Sequence, residues 1–236
     1  MKKESILGVK VCVIPKDRFI QRIEEDIRKD RQRFIVAINP EKLLKAKKDE
    51  ALTNLLNGAD YPIPDGVGVL VAARLKKIPI KERITGIDCM EMLCASSADH
   101  GFRVFLYGAK PTVAERTKAV LEQRYPGIQI AGCLDGYCTD NEMVIKQINA
   151  TNPDIVFVAL GSPKQEYWIA KNRSELHAKI LQGVGGSFDV ISGNLKRAPD
   201  FFREHGLEWL FRLLQQPKRI WRVIKMSRFL FLLLKD

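Results

Sequence analysis

The sequence predicts an α/β protein: a Rossmann-like parallel sheet covered by helices, followed by a basic amphipathic helical appendage. Short apolar runs alternate with segments of helical periodicity over most of the chain, which is typical of a parallel sheet covered on both faces. Several of these runs end in glycine or polar residues. After residue 195 the composition changes to aromatic and aliphatic residues interleaved with cations. We therefore divide the chain into an α/β domain, residues 1–195, and an appendage, residues 196–236.

The first half of the chain mixes both kinds of predicted element. Helices are indicated by apolar residues at helical spacing, and Asn39-Pro40-Glu41 opens one of them with proline at its first position. Proline and glycine predict loops, and Asp88 is predicted to cap the helix that it precedes. In order, the predicted elements are a strand or hairpin (5–14), a helix (15–29), a buried strand (33–39), helices from 39 and around 51–56, a loop (61–68), a helix (69–75), a loop (83–88) and a helix (88–98).

The second half alternates more regularly. The predicted strands are 102–107, 128–131, 154–160 and 178–181, and the predicted helices are 111–123, 140–150 and 164–172. In parallel sheets, ligands bind outside the carboxyl ends of the strands. Four loops fall at that edge: Gly108, Asp135-Gly136-Tyr137, Gly161-Ser162 and Gly183–Gly186. Together they predict a binding site.

The glycine-rich loop after the last predicted strand reads Gly183-Val-Gly-Gly-Ser-Phe-Asp189. Glycines let backbone N–H groups approach a phosphate closely because no Cβ intervenes. This loop is therefore a candidate site for a nucleotide diphosphate, with Asp189 accepting hydrogen bonds from ribose or base. The alternative interpretation is a tight strand-to-helix turn that binds no ligand.

The net charge of +11 indicates an anionic partner: nucleic acid, a phosphorylated substrate or an anionic membrane surface. From Lys196 onward the chain contains ten Lys or Arg and four Asp or Glu, so this segment supplies +6 of that charge. Cations beside an aromatic and aliphatic face are typical of helices that lie on anionic lipid. The alternative is a helical hairpin that packs on the core. Without a signal-peptide h-region or an apolar run of about 18 residues, we expect a cytoplasmic protein, peripheral on the inner face of the membrane.

Neither the cysteines nor any catalytic signature indicates a metal or a hydrolase triad. Five cysteines without a secretion signal argue against a disulfide framework. Two Cys-x4-Cys pairs approach zinc spacing, but thiols that pack as small hydrophobes explain them better. Ser-His-Asp, HExxH and Walker A patterns are not found in the sequence.

Several polar residues are candidates for chemistry, each with a structural alternative. Asp65, in Pro-Asp-Gly, is either a turn residue or a general base. Arg83 can bind a carboxylate or phosphate bidentately. Gln165 opens a helix and can hydrogen-bond a sugar or phosphate, whereas Glu166 suits the helix dipole as a first-turn acid.

Taken together, the motifs closely resemble the WecG/TagA/CpsF family of bacterial glycosyltransferases over nearly the whole chain. They are Asn39-Pro40-Glu41, Pro64-Asp65-Gly66-x-Gly68, Arg83-x-x-Gly86-x-Asp88, Leu106-Tyr107-Gly108-Ala109, Gly136-Tyr137, Leu160-Gly161-Ser162-Pro163-Lys164-Gln165-Glu166, the loop from Gly183 to Asp189, and Arg197-Ala198-Pro199. The tail sequences 206–212 and 217–222 also look like the appendage of that family.

The resemblance implies transfer of a sugar from a UDP-sugar to an undecaprenyl-diphosphate-linked sugar. The best-known members join N-acetylmannosamine to N-acetylglucosamine (GlcNAc) in the linkage unit of wall teichoic acid, invert the anomeric centre and need no metal or other cofactor. By the same resemblance, Asp65 is the catalytic base, and Arg83 and Gln165 position the substrate. The implied substrate-binding residues are Asn39, Gly108, Ala109, Tyr137, Gly185, Gly186, Asp189, Arg212, Arg219 and Arg222.

The exact donor stays open at this point. Many relatives have threonine where this chain has Ala37, so UDP-ManNAcA (the uronic acid) and UDP-glucose stand beside UDP-ManNAc. An NAD-type oxidoreductase fits less well, because no Gly-x-Gly-x-x-Gly opens the first strand–helix unit. Stacking of nucleic-acid bases on the tail is set aside in favour of lipid. Self-association through the exposed appendage is a further expectation.

Overall fold

A computed structural model describes residues 1–215, 229, 232 and 233. Over this part of the chain the strands are β1 Lys3–Ile6, β2 Val9–Cys12, β3 Arg33–Ile38, β4 Tyr61–Pro64, β5 Arg103–Gly108, β6 Gln129–Leu134, β7 Ile155–Ala159 and β8 Ile180–Gly183. The helices are α1 Lys16–Arg28, α2 Pro40–Ala46, α3 Glu50–Asn57, α4 Val67–Leu75, α5 Gly86–His100, α6 Pro111–Arg124, α7 Asn141–Ala150, α8 Lys164–Asn172, α9 Ser187–Ile191, α10 Asp200–Glu204 and α11 Glu208–Gln215.

Six of the strands form one parallel sheet in the order β4-β3-β8-β7-β5-β6. The first two strands pair antiparallel as a separate hairpin. Because all six strands run in the same direction, their carboxyl ends meet at a single edge of the sheet. The structure confirms the predicted α/β class with helices around a parallel sheet.

Both faces of the sheet are buried, which explains why its strands read as apolar runs rather than as alternating ones. Phe34, Val36 and Ile38 of β3 belong to one buried cluster, together with residues of α2, α3, α7 and α8. Ile35 and Ala37 of the same strand belong to a second cluster with residues of α1, α5 and α6.

The prediction of a loop over residues 61–68 is wrong for its first half. Tyr61–Pro64 forms β4, and all four residues are buried. Proline is tolerated here because β4 lies at the edge of the sheet and pairs only with β3. On its outer side β4 has no neighbouring strand in the sheet, so a missing N–H on that side breaks no hydrogen bond between strands. The chain leaves the strand at Asp65 and enters α4 at Val67.

The five cysteines are free thiols, and Cys12, Cys89 and Cys94 are buried. Burial raises the pKa of the Cys12 thiol to about 12, as expected for a thiol that packs as a small hydrophobe. In the part of the chain that the structure describes, no helix is both long and apolar enough to cross a bilayer.

The appendage begins with two short helices, α10 and α11, that expose large apolar side chains. Phe201, Trp209 and Leu214 are 60%, 50% and 67% exposed, respectively. Further along the chain, Phe229 and Leu233 are buried in the first cluster. Some apolar residues of the appendage therefore pack on the core, and others face outward.

A polar network secures the opposite, amino-terminal edge of the sheet. The carboxylate of Asp26, on α1, accepts hydrogen bonds from Arg33 Nε at 3.0 Å and from the Tyr61 hydroxyl. Burial acts to raise the pKa of Asp26, but the hydrogen bonds from Arg33 and Tyr61 outweigh it and hold the pKa below its usual range. Burial and the bond to Asp26 raise the pKa of Tyr61 to about 12.

We expect Asp26→Asn to lower the free energy of unfolding at neutral pH. The folded-state pKa of Asp26 lies below its unfolded value of about 3.9, so this carboxyl stabilises the fold above that pH and loses its contribution as pH falls through the folded pKa. The difference in the free energy of unfolding between wild type and variant, measured by urea unfolding, should therefore become smaller as the pH is lowered. Asp30→Asn, at a side chain 85% exposed, should show no such gap.

Candidate active site

The carboxyl edge of the sheet gathers most of the predicted site residues, in the order in which the strands lie. Asp65 follows β4, Asn39 follows β3, the loop 183–186 follows β8, Gln165 follows β7, Gly108 and Ala109 follow β5, and Tyr137 follows β6. Neighbouring strands lie about 4.8 Å apart. The loops after β4, β3, β8 and β7 are therefore close neighbours, whereas the loops after β5 and β6 lie about 19 Å and about 24 Å, respectively, from Asp65 along the sheet.

Asp65 lies in the bend that joins β4 to α4. Its backbone N–H donates to Ile38 O at 2.8 Å, which holds the bend against the end of β3. Asn39 follows there, and its side-chain oxygen caps α2 by accepting from Lys42 N at 3.0 Å. The residue after Arg83, Ile84, donates its N–H to the carbonyl of Pro64 at 2.8 Å. Asp65, Asn39 and Arg83 are thus brought to one corner of the sheet.

The Arg83 side chain is held by the appendage in this structure. Its Nη2 donates to Glu208 Oε1 at 2.7 Å and to the carbonyl of Arg203 at 2.5 Å. These groups border a charged cleft of about 340 Å³, lined by Lys16, Arg83, Asp88, Asp200, Arg203, Glu204 and Glu208. Arg83 contacts the Glu208 carboxylate through one nitrogen rather than bidentately, so the appendage contacts a candidate catalytic residue directly.

Asp88 does not cap its helix, contrary to the prediction. Thr85 does so, because its hydroxyl accepts from the Asp88 N–H at 3.1 Å and the helix already begins at Gly86. The Asp88 carboxylate instead pairs with Arg197, which also binds Glu91. This pairing ties the start of the appendage to α5.

Gln165 is buried at the start of α8, 2% exposed, where its amide connects two parts of the site. Gln165 Oε1 accepts from the Gly185 N–H at 2.9 Å, and Nε2 donates to Glu166 Oε1 at 3.0 Å. The Gly185 N–H, which the sequence suggested for phosphate, is therefore directed at Gln165 here. Gly183 makes room for this amide, since a Cβ there would lie 2.6 Å from Gln165 Nε2.

Glu166 lies in the first turn of α8, as predicted, and it also forms a buried ion pair. It is fully buried, and its Oε1 pairs with Lys42 Nζ at 2.7 Å. Lys42 also donates to the carbonyl of Ala37 at 2.8 Å. Sequence reasoning missed Lys42 altogether, because a lysine and a glutamate far apart in the chain carry no local signal of contact.

The rest of the glycine-rich loop is more open. Gly185 has φ of +53°, a conformation that favours glycine. Gly186 is exposed, and a Cβ there would approach no closer than 4.0 Å to Asp189 Oδ2. Asp189 lies half-buried in the first turn of α9.

The loops after β5, β6 and β7 pack on one another. Gly108 has φ of +117°, and a Cβ there would lie 2.6 Å from the backbone of Ala159. The Ala109 N–H donates to Ala159 O, and its carbonyl accepts from Gly136 N, both at 2.9 Å. Tyr137 stands out from this surface, 65% exposed. Gly108, Ala109 and Tyr137 thus form a second group, separate from the group around Asp65.

Of the three appendage arginines, Arg212 lies on α11, where the structure describes its backbone and not its side chain. Arg219 and Arg222 lie outside the described residues. Their predicted roles stay predictions.

Comparison with known proteins identifies the family of this chain. The model of the glycosyl transferase WecG/TagA/CpsF family matches residues 4–236. The chain belongs to this family. Its membership confirms the resemblance drawn from the motifs, and it makes the protein a glycosyltransferase.

Three relatives carry the same name, N-acetylglucosaminyldiphosphoundecaprenol N-acetyl-beta-D-mannosaminyltransferase. The protein from Bacillus spizizenii is 42% identical over 202 residues, which cover 86% of this chain and 79% of the relative. The Bacillus subtilis protein is 40% identical with the same coverage. The Staphylococcus aureus protein is 40% identical over 206 residues, covering 86% of this chain and 80% of the relative.

Proposed function

We propose that this protein transfers N-acetylmannosamine from UDP-ManNAc to GlcNAc linked to undecaprenyl diphosphate, for cell-wall or surface polysaccharide synthesis. Support comes from the shared name of three relatives that this chain matches over 86% of its length. The observation that carries the proposal is the arrangement of Asp65, Asn39, Gln165 and the loop 183–186 along neighbouring strand ends of one sheet edge.

In the proposed reaction, Asp65 is the general base. An acceptor hydroxyl attacks the anomeric carbon of the donor, the new C–O bond forms as the bond to the UDP oxygen breaks, and the configuration inverts. Asp65 takes the proton of the attacking hydroxyl, so a carboxylate within hydrogen-bond reach lowers the barrier. The loop after β8 lies two strand spacings, about 10 Å, from the end of β4, which leaves room for a sugar between base and diphosphate.

Departure of UDP develops negative charge that must be neutralised. Donors already directed at the developing charge are effective because they need no reorganisation. We propose that Arg212, Arg219 and Arg222 supply this stabilisation and that the reaction needs no metal. Activity that persists in EDTA would support this part, and a strict requirement for a divalent cation would refute it.

A donor screen tests the proposal directly. The full chain is incubated with a lipid-diphosphate-GlcNAc acceptor and one donor at a time, UDP-ManNAc, UDP-ManNAcA or UDP-glucose. The masses of the products are then measured by mass spectrometry. We expect addition of one N-acetylhexosamine from UDP-ManNAc and little product from the others. Preference for UDP-ManNAcA or UDP-glucose would show that the protein uses another donor sugar and serves another polysaccharide. Absence of transfer from all three donors would refute the proposal.

We further propose that the enzyme works on the inner face of the cytoplasmic membrane, where its lipid-linked acceptor is located. Exposed Phe201, Trp209 and Leu214, with the cations of the tail, suit the headgroup region of anionic lipid. Sedimentation with phosphatidylglycerol vesicles should be strong at low salt and weaker at high salt. Equal binding to neutral phosphatidylcholine vesicles would contradict the electrostatic part.

Gly183→Ala is expected to lower kcat by about 10²-fold, because a displacement of about 1 Å in a residue that positions the substrate can reduce the rate by that factor. The new Cβ would lie 2.6 Å from Gln165 Nε2 and 3.1 Å from Cδ, so the amide must move. Steady-state kinetics on Gly183→Ala, Gln165→Ala and the double variant check the cause. If the clash acts through Gln165, the double variant is no slower than Gln165→Ala; additive losses would contradict this route.

A further inference from the structure

A buried ion pair contacts the side chain of Gln165. Lys42 Nζ and Glu166 Oε1 are 2.7 Å apart, with side chains only 7% and 0% exposed. Such pairs add little net stability, because removing both charges from water costs about as much as their attraction returns. Their presence at the carboxyl edge of the sheet therefore points to a role beyond holding the fold together.

The pair determines which way the Gln165 amide faces. Glu166 Oε1 accepts from both Lys42 Nζ and Gln165 Nε2. A carboxylate paired with an ammonium group only accepts hydrogen bonds, and the backbone N–H of Gly185 only donates. The NH₂ group of Gln165 must then face Glu166 and its oxygen must face Gly185, because the flipped amide would set donor against donor and acceptor against acceptor.

Only one carboxylate oxygen of Glu166 takes part. Among the residues that the structure describes, buried Glu166 Oε2 has no hydrogen-bond partner. The ionic contact and the contact to Gln165 thus converge on the single atom Oε1. A carboxylate selected for stability alone would be expected to satisfy both oxygens.

We infer that Lys42 and Glu166 are positioning residues for the proposed sugar transfer. Lys42 holds the Glu166 carboxylate, Glu166 orients the Gln165 amide, and Gln165 fixes the backbone of Gly185 beside the donor diphosphate. The identity of the ligand in this inference rests on the proposed function. The chain of contacts crosses from α2 through α8 to the loop after β8, so it links three of the loops that form the site.

The double variant Lys42→Met/Glu166→Leu separates positioning from stability. It replaces both charges by apolar groups of similar size, a change that is often neutral or stabilising for a buried pair. We expect an unfolding midpoint at or above that of wild type, a kcat lower by about 10²-fold and little change in the KM for acceptor. A folded double variant with wild-type kcat would overturn the inference.

Glu166→Gln serves as the matched variant. Lys42 still presents only donors, so it draws the new amide oxygen toward itself, and that oxygen still accepts from Gln165. This variant is expected to keep most of the wild-type kcat. Adding Lys42→Met to it removes the group that orients the new amide, and activity should fall. Equal kcat in Glu166→Gln and Lys42→Met/Glu166→Gln would overturn the inference even if the apolar double variant did not fold.

Hydrogen exchange of the Gly185 amide, followed by NMR, provides a readout that does not depend on turnover. We expect faster exchange in Lys42→Met/Glu166→Leu and in Lys42→Met/Glu166→Gln than in wild type, and wild-type exchange in Glu166→Gln. If the wild-type protein transferred no sugar, the proposed function would fail, yet the exchange rates would still decide whether the pair positions Gln165. Unchanged Gly185 protection in all variants would show that it does not.

Discussion

Asp65→Asn is expected to lower kcat for sugar transfer by about 10³-fold, within the range that general base catalysis contributes. Asparagine has almost the same shape as aspartate but cannot take a proton from the acceptor hydroxyl. UDP affinity should stay at the wild-type value, because the proposed diphosphate site lies at the loop after β8. Steady-state kinetics and calorimetric titration with UDP measure the two quantities.

The same variant separates the two interpretations of Asp65 that the sequence left open. Asparagine favours the same turns as aspartate, so a residue that served only to shape the bend between β4 and α4 would tolerate the change. Near wild-type kcat in Asp65→Asn would therefore assign this residue to the turn and contradict its role as base. A shifted unfolding midpoint would show that the fold, rather than the chemistry, had been altered.

The second large effect is expected from the appendage arginines. Replacing Arg212, Arg219 and Arg222 together by alanine should lower kcat by at least about 10²-fold, since preorganised donors of this kind each contribute on that scale. Substitution leaves in place Phe229 and Leu233, which are buried in the core, and is therefore a cleaner test than truncation after Leu195. Kinetics with a short, detergent-soluble acceptor measure the effect apart from membrane binding.

A control for net charge is needed because the triple substitution also removes three positive charges. Arg18, Arg28 and Arg116 are exposed on α1 and α6, and none of them is among the residues that we place in the site. Replacing these three by alanine should leave kcat for the soluble acceptor unchanged. Equal losses in both triple variants would mean that overall charge, and not guanidinium groups at the leaving phosphate, explains the effect.

The sequence predicts the strands of the sheet well because the apolar pattern of each strand lies within a few consecutive residues. Runs such as 103–108 and 155–159 are apolar over the length of a strand and are followed by glycine or polar residues, and the structure has strands there. The alternation with helices then implies a parallel sheet and a common carboxyl edge. Asp65, Asn39, Gln165 and the glycine-rich loop are found at that edge.

What the sequence could not predict depends on contacts between distant residues. The prolines of β4 read as loop residues, because only the sheet order reveals that this strand lies at an edge. Lys42 and Glu166 each look like surface residues until folding places them together in the interior. Arg83 gives no hint from its surroundings in the chain that Glu208 of the appendage will bind it.

A crystal structure of the full chain with UDP tests the proposed site most directly. We expect the diphosphate at the loop 183–186 beside Gln165, with the Asp65 carboxylate facing the side from which the acceptor sugar enters. Appendage guanidinium groups should lie near the terminal phosphate. A UDP molecule bound at the amino-terminal edge of the sheet, or one whose phosphates lie far from Asp65 and Gln165, would contradict the proposed site.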